Sequence, residues 1–197
     1  MTARMENPMA EMTEVRWHGR GGQGAVTAAK VLADCALSEG KYVQAFPEYG
    51  PERMGAPVKA YTRLSDGRIT VHSQVENPSI VLVLDPTLLA VVDVTEGLTD
   101  DGIILVNSTD PPTTVAKQIG AGKRKVYTVD ATGISIDELG RDIPNTAMLG
   151  ALAKATGMLS LDGIIEDITH KFSGKFKQSI VDGNVRVIKR AYEEVKS

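Results

Sequence analysis

Four glycines fall within six residues at Gly19-Arg20-Gly21-Gly22-Gln23-Gly24, and this cluster limits the fold more than anything else in the chain. The glycines let the backbone turn tightly and bring its N–H groups close to a guest. The residues before it, 14–18, read as a short strand ending at His18. The residues after it, about 23–38, read as a helix with a narrow face of Ala, Val and Leu, stopped by Gly40. A strand, a glycine turn and a helix N-terminus place unsatisfied N–H groups and the positive end of the helix dipole at one point, which is a seat for an anion. Arg20 would add a charge to that seat and Gln23 an amide, with His18 beside them at the strand end.

The glycine spacing departs from the known phosphate loops. Gly19, Gly21 and Gly24 have the G-x-G-x-x-G spacing, but the acidic residue expected about 20 positions further on is missing. Lys41 and Gln44 stand there instead, with Glu39 too early and Glu48 too late. No Gly-Lys-Ser/Thr ending of a P-loop follows either. Three readings stay open: a dinucleotide site, recognition of another phosphate or of a partner surface, and glycines that only let a helix pack closely on a strand.

Further along, residues 42–46 suit a second strand, which runs into a segment at 47–57 with three prolines and two glycines. That segment cannot be regular structure, yet its prolines stiffen it. It presents Glu48, Tyr49, Glu52 and Arg53, a set suited to contact with a ligand or a subunit. Residues 58–64 alternate as a half-exposed antiparallel strand. Ser65-Asp66-Gly67 signals a hairpin, with residues 68–72 as the returning strand. Continuous apolar runs at 80–85 and 102–107, and a run at 126–129, suit strands covered on both faces. Asp85-Pro86 then reads as a helix start, and an acid at the end of a central strand is also where α/β proteins place ligand contacts. Helices are expected at about 113–119, 134–139, 146–156, 161–169 and 176–195, with Asn145 or Thr146 near the cap of the fourth helix after the glycine turn and Ser160 capping the fifth. Phe176, Ile180, Val187, Ala191 and Val195 are expected to face inward on the last helix. The order predicts one three-layer α/β/α domain over 13–197, its sheet mostly parallel with an antiparallel hairpin insertion, after a flexible leader at 1–12.

Composition excludes several functions. The net charge of −3 and 5% aromatic content argue against a nucleic-acid surface. No apolar run approaches the length of a membrane span and no signal peptide is evident, so a cytoplasmic protein is expected. One cysteine, Cys35, permits no internal disulfide and no multi-cysteine metal or cluster site on this chain alone. It lies within the first helix, where a buried thiol is expected. His72 and His170 lack partners at ligand spacing, and structural roles are expected for both.

Three separated motifs now carry a resemblance: His18-Gly-Arg-Gly-Gly-Gln-Gly24, Phe46-Pro-Glu-Tyr-Gly-Pro-Glu-Arg-Met-Gly-Ala-Pro57 and Asn145-Thr-Ala-Met-Leu-Gly150. In this order they resemble the gamma subunits of 2-oxoacid:ferredoxin oxidoreductases, the pyruvate-specific branch above all, from about residue 13 to the end. The resemblance implies a subunit working with alpha, beta and delta chains and, through the complex, with ferredoxin. It implies that thiamine diphosphate, Mg2+ and [4Fe-4S] clusters are held by partner chains, that no catalytic or metal-binding residue lies here, and that this chain covers the thiamine site and helps admit coenzyme A. On this reading Gly19, Arg20, Gly21, Gly22, Gln23 and Gly24 contact coenzyme A or an interface, while His18, Glu48, Tyr49, Glu52, Arg53 and Asn145 lie at the interface. Gamma-type chains of the branched-chain, indolepyruvate and 2-oxoglutarate enzymes remain alternatives, as do a free-standing nucleotide or phosphate module and a purely structural clamp.

Overall fold

The computed structural model describes residues 12–48 and 55–197. Six strands, β1 (Met12–Arg20), β2 (Tyr42–Pro47), β3 (Pro57–Ser65), β4 (Ile80–Val83), β5 (Ile103–Asn107) and β6 (Lys125–Val129), form one sheet in the order β2-β3-β1-β4-β5-β6. The strands β1, β4, β5 and β6 are parallel, and β3 runs antiparallel to both β1 and β2. Strand β1 begins at Met12, inside the span read from sequence as a leader.

Each central strand divides its side chains between two cores. The even residues Leu82 and Leu84 face α1 (Ala25–Ser38), α4 (Asn145–Thr156), α5 (Leu161–Phe172) and α6 (Gln178–Glu194), together with Val15, Trp17, Leu105 and Val129. Ala131 and Ile134 of α3 (Ala131–Leu139) join this core. The odd residues Val81 and Val83 face the other way, with Leu88, Val94, Ile104, Val106 and Val115. That smaller core is closed by a 3-10 turn at Pro86–Ala90, the chain at 91–98 and α2 (Pro112–Gln118). Alternation with a period of two on strands buried on both sides produces the three layers. In the larger core, Gly150 lets α4 touch α6, since a Cβ there would sit 2.2 Å from the Ile188 carbonyl oxygen.

Three expectations need correction. Residues 68–72 form no strand. They cross the sheet face opposite α1, where the Arg63 guanidinium donates to the Val71 and Ser73 carbonyls and Gln44 donates to that of Val71. A buried cation satisfied by those carbonyls holds the segment flat on the sheet, so the Ser65-Asp66-Gly67 turn leads into a cover instead of a ladder. Strand β3 is for the same reason buried on both faces from Ala60 to Ser65, not half-exposed. Phe176 lies before α6 and is half exposed, stacking edge-on with Phe172. Val187 and Ala191 do face the core.

Candidate functional site

The glycine turn joins the carboxyl end of β1 to α1, at the rim where the parallel strands end and where open α/β sheets bind ligands. The glycines do different work. Gly22 and Gly24 hold φ of 99° and 82°, a left-handed conformation that side chains resist. Gly19 serves packing: a Cβ there would approach the Ala25 Cβ to 3.1 Å. Gly21 donates its N–H to the Ala56 carbonyl at 3.1 Å, tying the turn to the chain that leads into β3.

Arg20 and Gln23 converge on Asp85. The Arg20 Nε donates to Asp85 Oδ2 at 3.0 Å and the Gln23 Nε2 to the same oxygen at 2.9 Å. The remaining guanidinium nitrogens donate to Thr87 Oγ1 at 2.9 Å and to the Gly55 carbonyl at 3.0 Å. Gln23 closes the turn on itself, its Oε1 accepting the Arg20 N–H at 2.7 Å. Asp85 also caps the 3-10 turn, accepting from the Thr87 N–H at 2.9 Å and hydroxyl at 2.6 Å. It is therefore the cap that its position at the strand end suggested, and two side chains of the glycine turn converge on it. Burial pushes the Asp85 carboxyl up, but the Thr87 hydroxyl and N–H, Gln23 and the Arg20 charge outweigh it and hold the group below the ordinary range. Arg20 is consequently matched by a fixed carboxylate, and its guanidinium straps the turn to Gly55.

What remains open for an anion is backbone. Helix α1 starts after Gly24 with no side-chain cap, and Asn145 at the start of α4 packs beside it, so that a Cβ on Gly24 would come within 2.7 Å of the Asn145 Nδ2. Asn145 turns its Oδ1 to the Thr146 N–H at 2.8 Å, while Pro144 occupies the cap position. Two helix N-termini from distant parts of the sequence thus meet at the glycine turn. Further along the rim, the Asn107 Nδ2 donates to the Leu84 carbonyl at 2.8 Å and to Thr132 Oγ1 at 2.9 Å, and the Thr132 hydroxyl donates to Asp142 Oδ1 at 3.1 Å. Sequence reasoning missed this chain of contacts. Its one signal was an asparagine ending an apolar strand, where a hydrophobic residue would be expected.

His18 occupies the face of β1 opposite Trp17. It is 2% exposed and its Nε2 has no partner among the described residues. Desolvation first, then the nearby charges of Arg16 and Lys59, lower its pKa to about 3, so it is neutral. Arg16, also buried, donates to the Val94 carbonyl at 3.0 Å. Across on β3, the Tyr61 hydroxyl donates to the Glu48 carboxylate, and burial with that contact pushes the phenol up. His18 and Glu48 thus share one polar sheet face, away from the α1 side where Asn145 meets the turn. Tyr49, Glu52 and Arg53 lie outside the described residues. Cys35 is buried, and desolvation with the neighbouring Asp167 pushes its thiol up to about 12, which leaves it unreactive. Among the described residues no group of three or more His, Cys, Asp or Glu side chains is placed to hold a metal ion, and no helix is long and apolar enough to cross a membrane.

The sheet order, the glycine turn and the polar rim define a class: the chain belongs to the pyruvate ferredoxin/flavodoxin oxidoreductase family, whose pattern it matches over residues 14–194. Within that class it is 51% identical over 183 residues to the pyruvate synthase subunit PorC of Thermotoga maritima, covering 93% of this chain and 94% of that one. It is 50% identical over 183 residues to the common gamma subunit of the pyruvate/ketoisovalerate oxidoreductases of Pyrococcus furiosus, covering 93% and 97%. The crystal structure of the pyruvate oxidoreductase subunit PORC from Thermotoga maritima superimposes with a TM-score of 0.83 and 47% identity, over 94% of this chain and 98% of that one. The protein is accordingly a gamma-type subunit of a multi-subunit oxidoreductase of the pyruvate synthase type.

Proposed function

We propose that this chain is the gamma subunit of a pyruvate:ferredoxin oxidoreductase, covering the thiamine diphosphate site of its sister chains and helping to admit coenzyme A. In such a complex the sister chains would hold thiamine diphosphate and [4Fe-4S] clusters, and the overall reaction would convert pyruvate and coenzyme A to acetyl-CoA and CO2, with the electrons passed to ferredoxin. Thiamine diphosphate supplies the electron sink when bound, and the protein supplies orientation and exclusion of water. The relatives named for pyruvate favour that substrate, although the Pyrococcus furiosus relative is named for ketoisovalerate as well.

The observation that carries the reading is the strapped rim. Arg20 holds Asp85, Thr87 and Gly55 together, so the turn and the strand entering β3 present one rigid edge. The open N–H groups at the start of α1, with Asn145 beside them, are suited to a phosphate or carboxylate from coenzyme A or a sister chain. Arg20 then acts as a positioning residue, by fixing that edge, and not as a direct anion ligand. In the assembled complex, Arg20→Ala should raise the KM for coenzyme A with kcat little changed, or loosen the complex on gel filtration. An unchanged KM in an intact complex removes the role. Arg20→Lys, which keeps the charge and loses the forked contacts, should behave like Arg20→Ala if positioning is the function.

A further inference from the structure

The polar rim closes into a ring of contacts. Pairing of β4 with β5 ends at Val83 and Val106, and beyond them β5 stays with β6 alone. The Asn107 side chain spans the opening where a ladder bond would otherwise lie, its Nδ2 donating to the Leu84 carbonyl at 2.8 Å. Leu84 donates its own N–H to the His18 carbonyl at 2.8 Å. The backbone that leads into Asp85 is therefore held from both sides.

Hydrogen-bond chemistry fixes the direction of the remaining links. A carbonyl only accepts, so the Asn107 amide must turn Nδ2 to Leu84 and leave Oδ1 for the Thr132 N–H, 3.2 Å away in the first turn of α3. The same Nδ2 donates to Thr132 Oγ1 at 2.9 Å, which leaves the hydroxyl proton for Asp142 Oδ1 at 3.1 Å. About one turn further along α3, the buried Ser135 hydroxyl donates to the Ile143 carbonyl at 2.9 Å. Residues 142 and 143 are thereby fixed to α3, and Asn145 follows with its Nδ2 toward Gly24. The ring is completed at the glycine turn, where Gln23 donates to Asp85.

We propose that Asn107 is a positioning residue for coenzyme A, a role that rests on coenzyme A entering at this rim. Through Leu84 it places Asp85, which holds Arg20 and Gln23 of the glycine turn. Through Thr132 and Asp142 it places Asn145 on the other side. One side chain thus sets the spacing between the two walls that meet at the start of α1. At 4% exposed, Asn107 is too deeply buried to be the contact itself.

Kinetics of the assembled complex test this role. Asn107→Leu and Thr132→Val should each raise the KM for coenzyme A about fivefold to tenfold, the effect of one or two lost hydrogen bonds. The KM for pyruvate and kcat should stay within about twofold, since only binding at this rim is disturbed. The two substitutions cut one chain of contacts, so the double variant should be no worse than the poorer single one. Asp142→Ala should resemble Thr132→Val, and Asp142→Asn, which keeps the accepting oxygen, should restore the lower KM. An unchanged KM for coenzyme A in these variants, with Arg20→Ala still raising it, overturns the role of Asn107 and leaves coenzyme A at the rim. If Arg20→Ala leaves it unchanged as well, coenzyme A does not enter here and Asn107 has no such role. Additive effects in the double variant, or an equal rise in the KM for pyruvate, would also overturn it.

Discussion

The two faces of β1 are equally buried and opposite in character. Val15 and Trp17 are fully buried against α1 and its neighbours, whereas Arg16 and His18, at 4% and 2% exposed, face a side where, among the described residues, no helix lies over β1, β3 and β2. One face was built for cohesion. The other holds Arg63, Arg16, His18 and Tyr61 out of water: carboxylates and carbonyls take up Arg63 and Tyr61, Arg16 reaches one carbonyl, and the His18 Nε2 has no partner among the described residues. Burying charge returns less stability than burying an indole of the same size, because desolvation offsets most of the attraction. A fold under selection for stability alone would have placed a second helix there. Instead the polar face leads up to the rim that bears Arg20, which fits a subunit whose surface must be shaped for neighbours.

Substitutions on the two faces should separate these roles. The largest loss is expected from Trp17→Ala, at about 4 kcal/mol by denaturant titration, since it opens a cavity and leaves Thr62 without its 3.0 Å indole donor. Trp17→Phe should recover most of the packing but not that hydrogen bond. On the polar face, Glu14→Gln removes the carboxylate 2.7 Å from Arg63, whose side chain is 1% exposed. Leaving that buried cation unmatched should cost about 3 kcal/mol. If Glu14→Gln proved neutral, the carbonyls of Val71 and Ser73 would be sufficient for Arg63, and the polar face would be less finely balanced than the pairing implies.

The sequence made the cohesive face legible and the polar one largely not. Apolar runs at 80–84 and 103–106 and the alternation around Trp17 declare strands without reference to anything distant. Glycine spacing likewise located the turn, and Asp85 at a strand end was recognisable as a cap or a contact. The misread hairpin shows the limit. Residues 68–72 alternate like a strand, but their backbone satisfies Arg63, a partner that no local pattern identifies. The pairing of Arg20 with Asp85 spans 65 positions, and that of Asn145 with the glycine turn spans more than a hundred. Such contacts depend on strand order, and a crossover connection leaves no mark on spacing.

A smaller effect, confined to a pH window, distinguishes the two faces without altering either core. His18 is neutral in the folded chain, with its pKa lowered to about 3, and regains an ordinary value near 6.5 on unfolding. Between those values the unfolded state binds a proton that the folded state refuses, so stability is complete above pH 6.5 and declines as the pH falls toward 3. The limiting slope is about 1.4 kcal/mol per pH unit. His18→Leu should flatten the urea midpoint between pH 6.5 and 4.5 while leaving the steeper acid loss below pH 4, where carboxylates such as Asp85, lowered in the fold, take up protons. An unchanged profile in His18→Leu would mean that water or the chain around Lys59 admits the imidazolium, and that the polar face opens as the apolar one cannot. The smallest stability effect belongs to the rim. Arg20 is about a third exposed, so Arg20→Ala should cost no more than about 1 kcal/mol in the isolated chain. A larger loss there would make the strap a structural element first, and any fall in coenzyme A affinity would then have to be corrected for unfolded subunit before it could be assigned to the site.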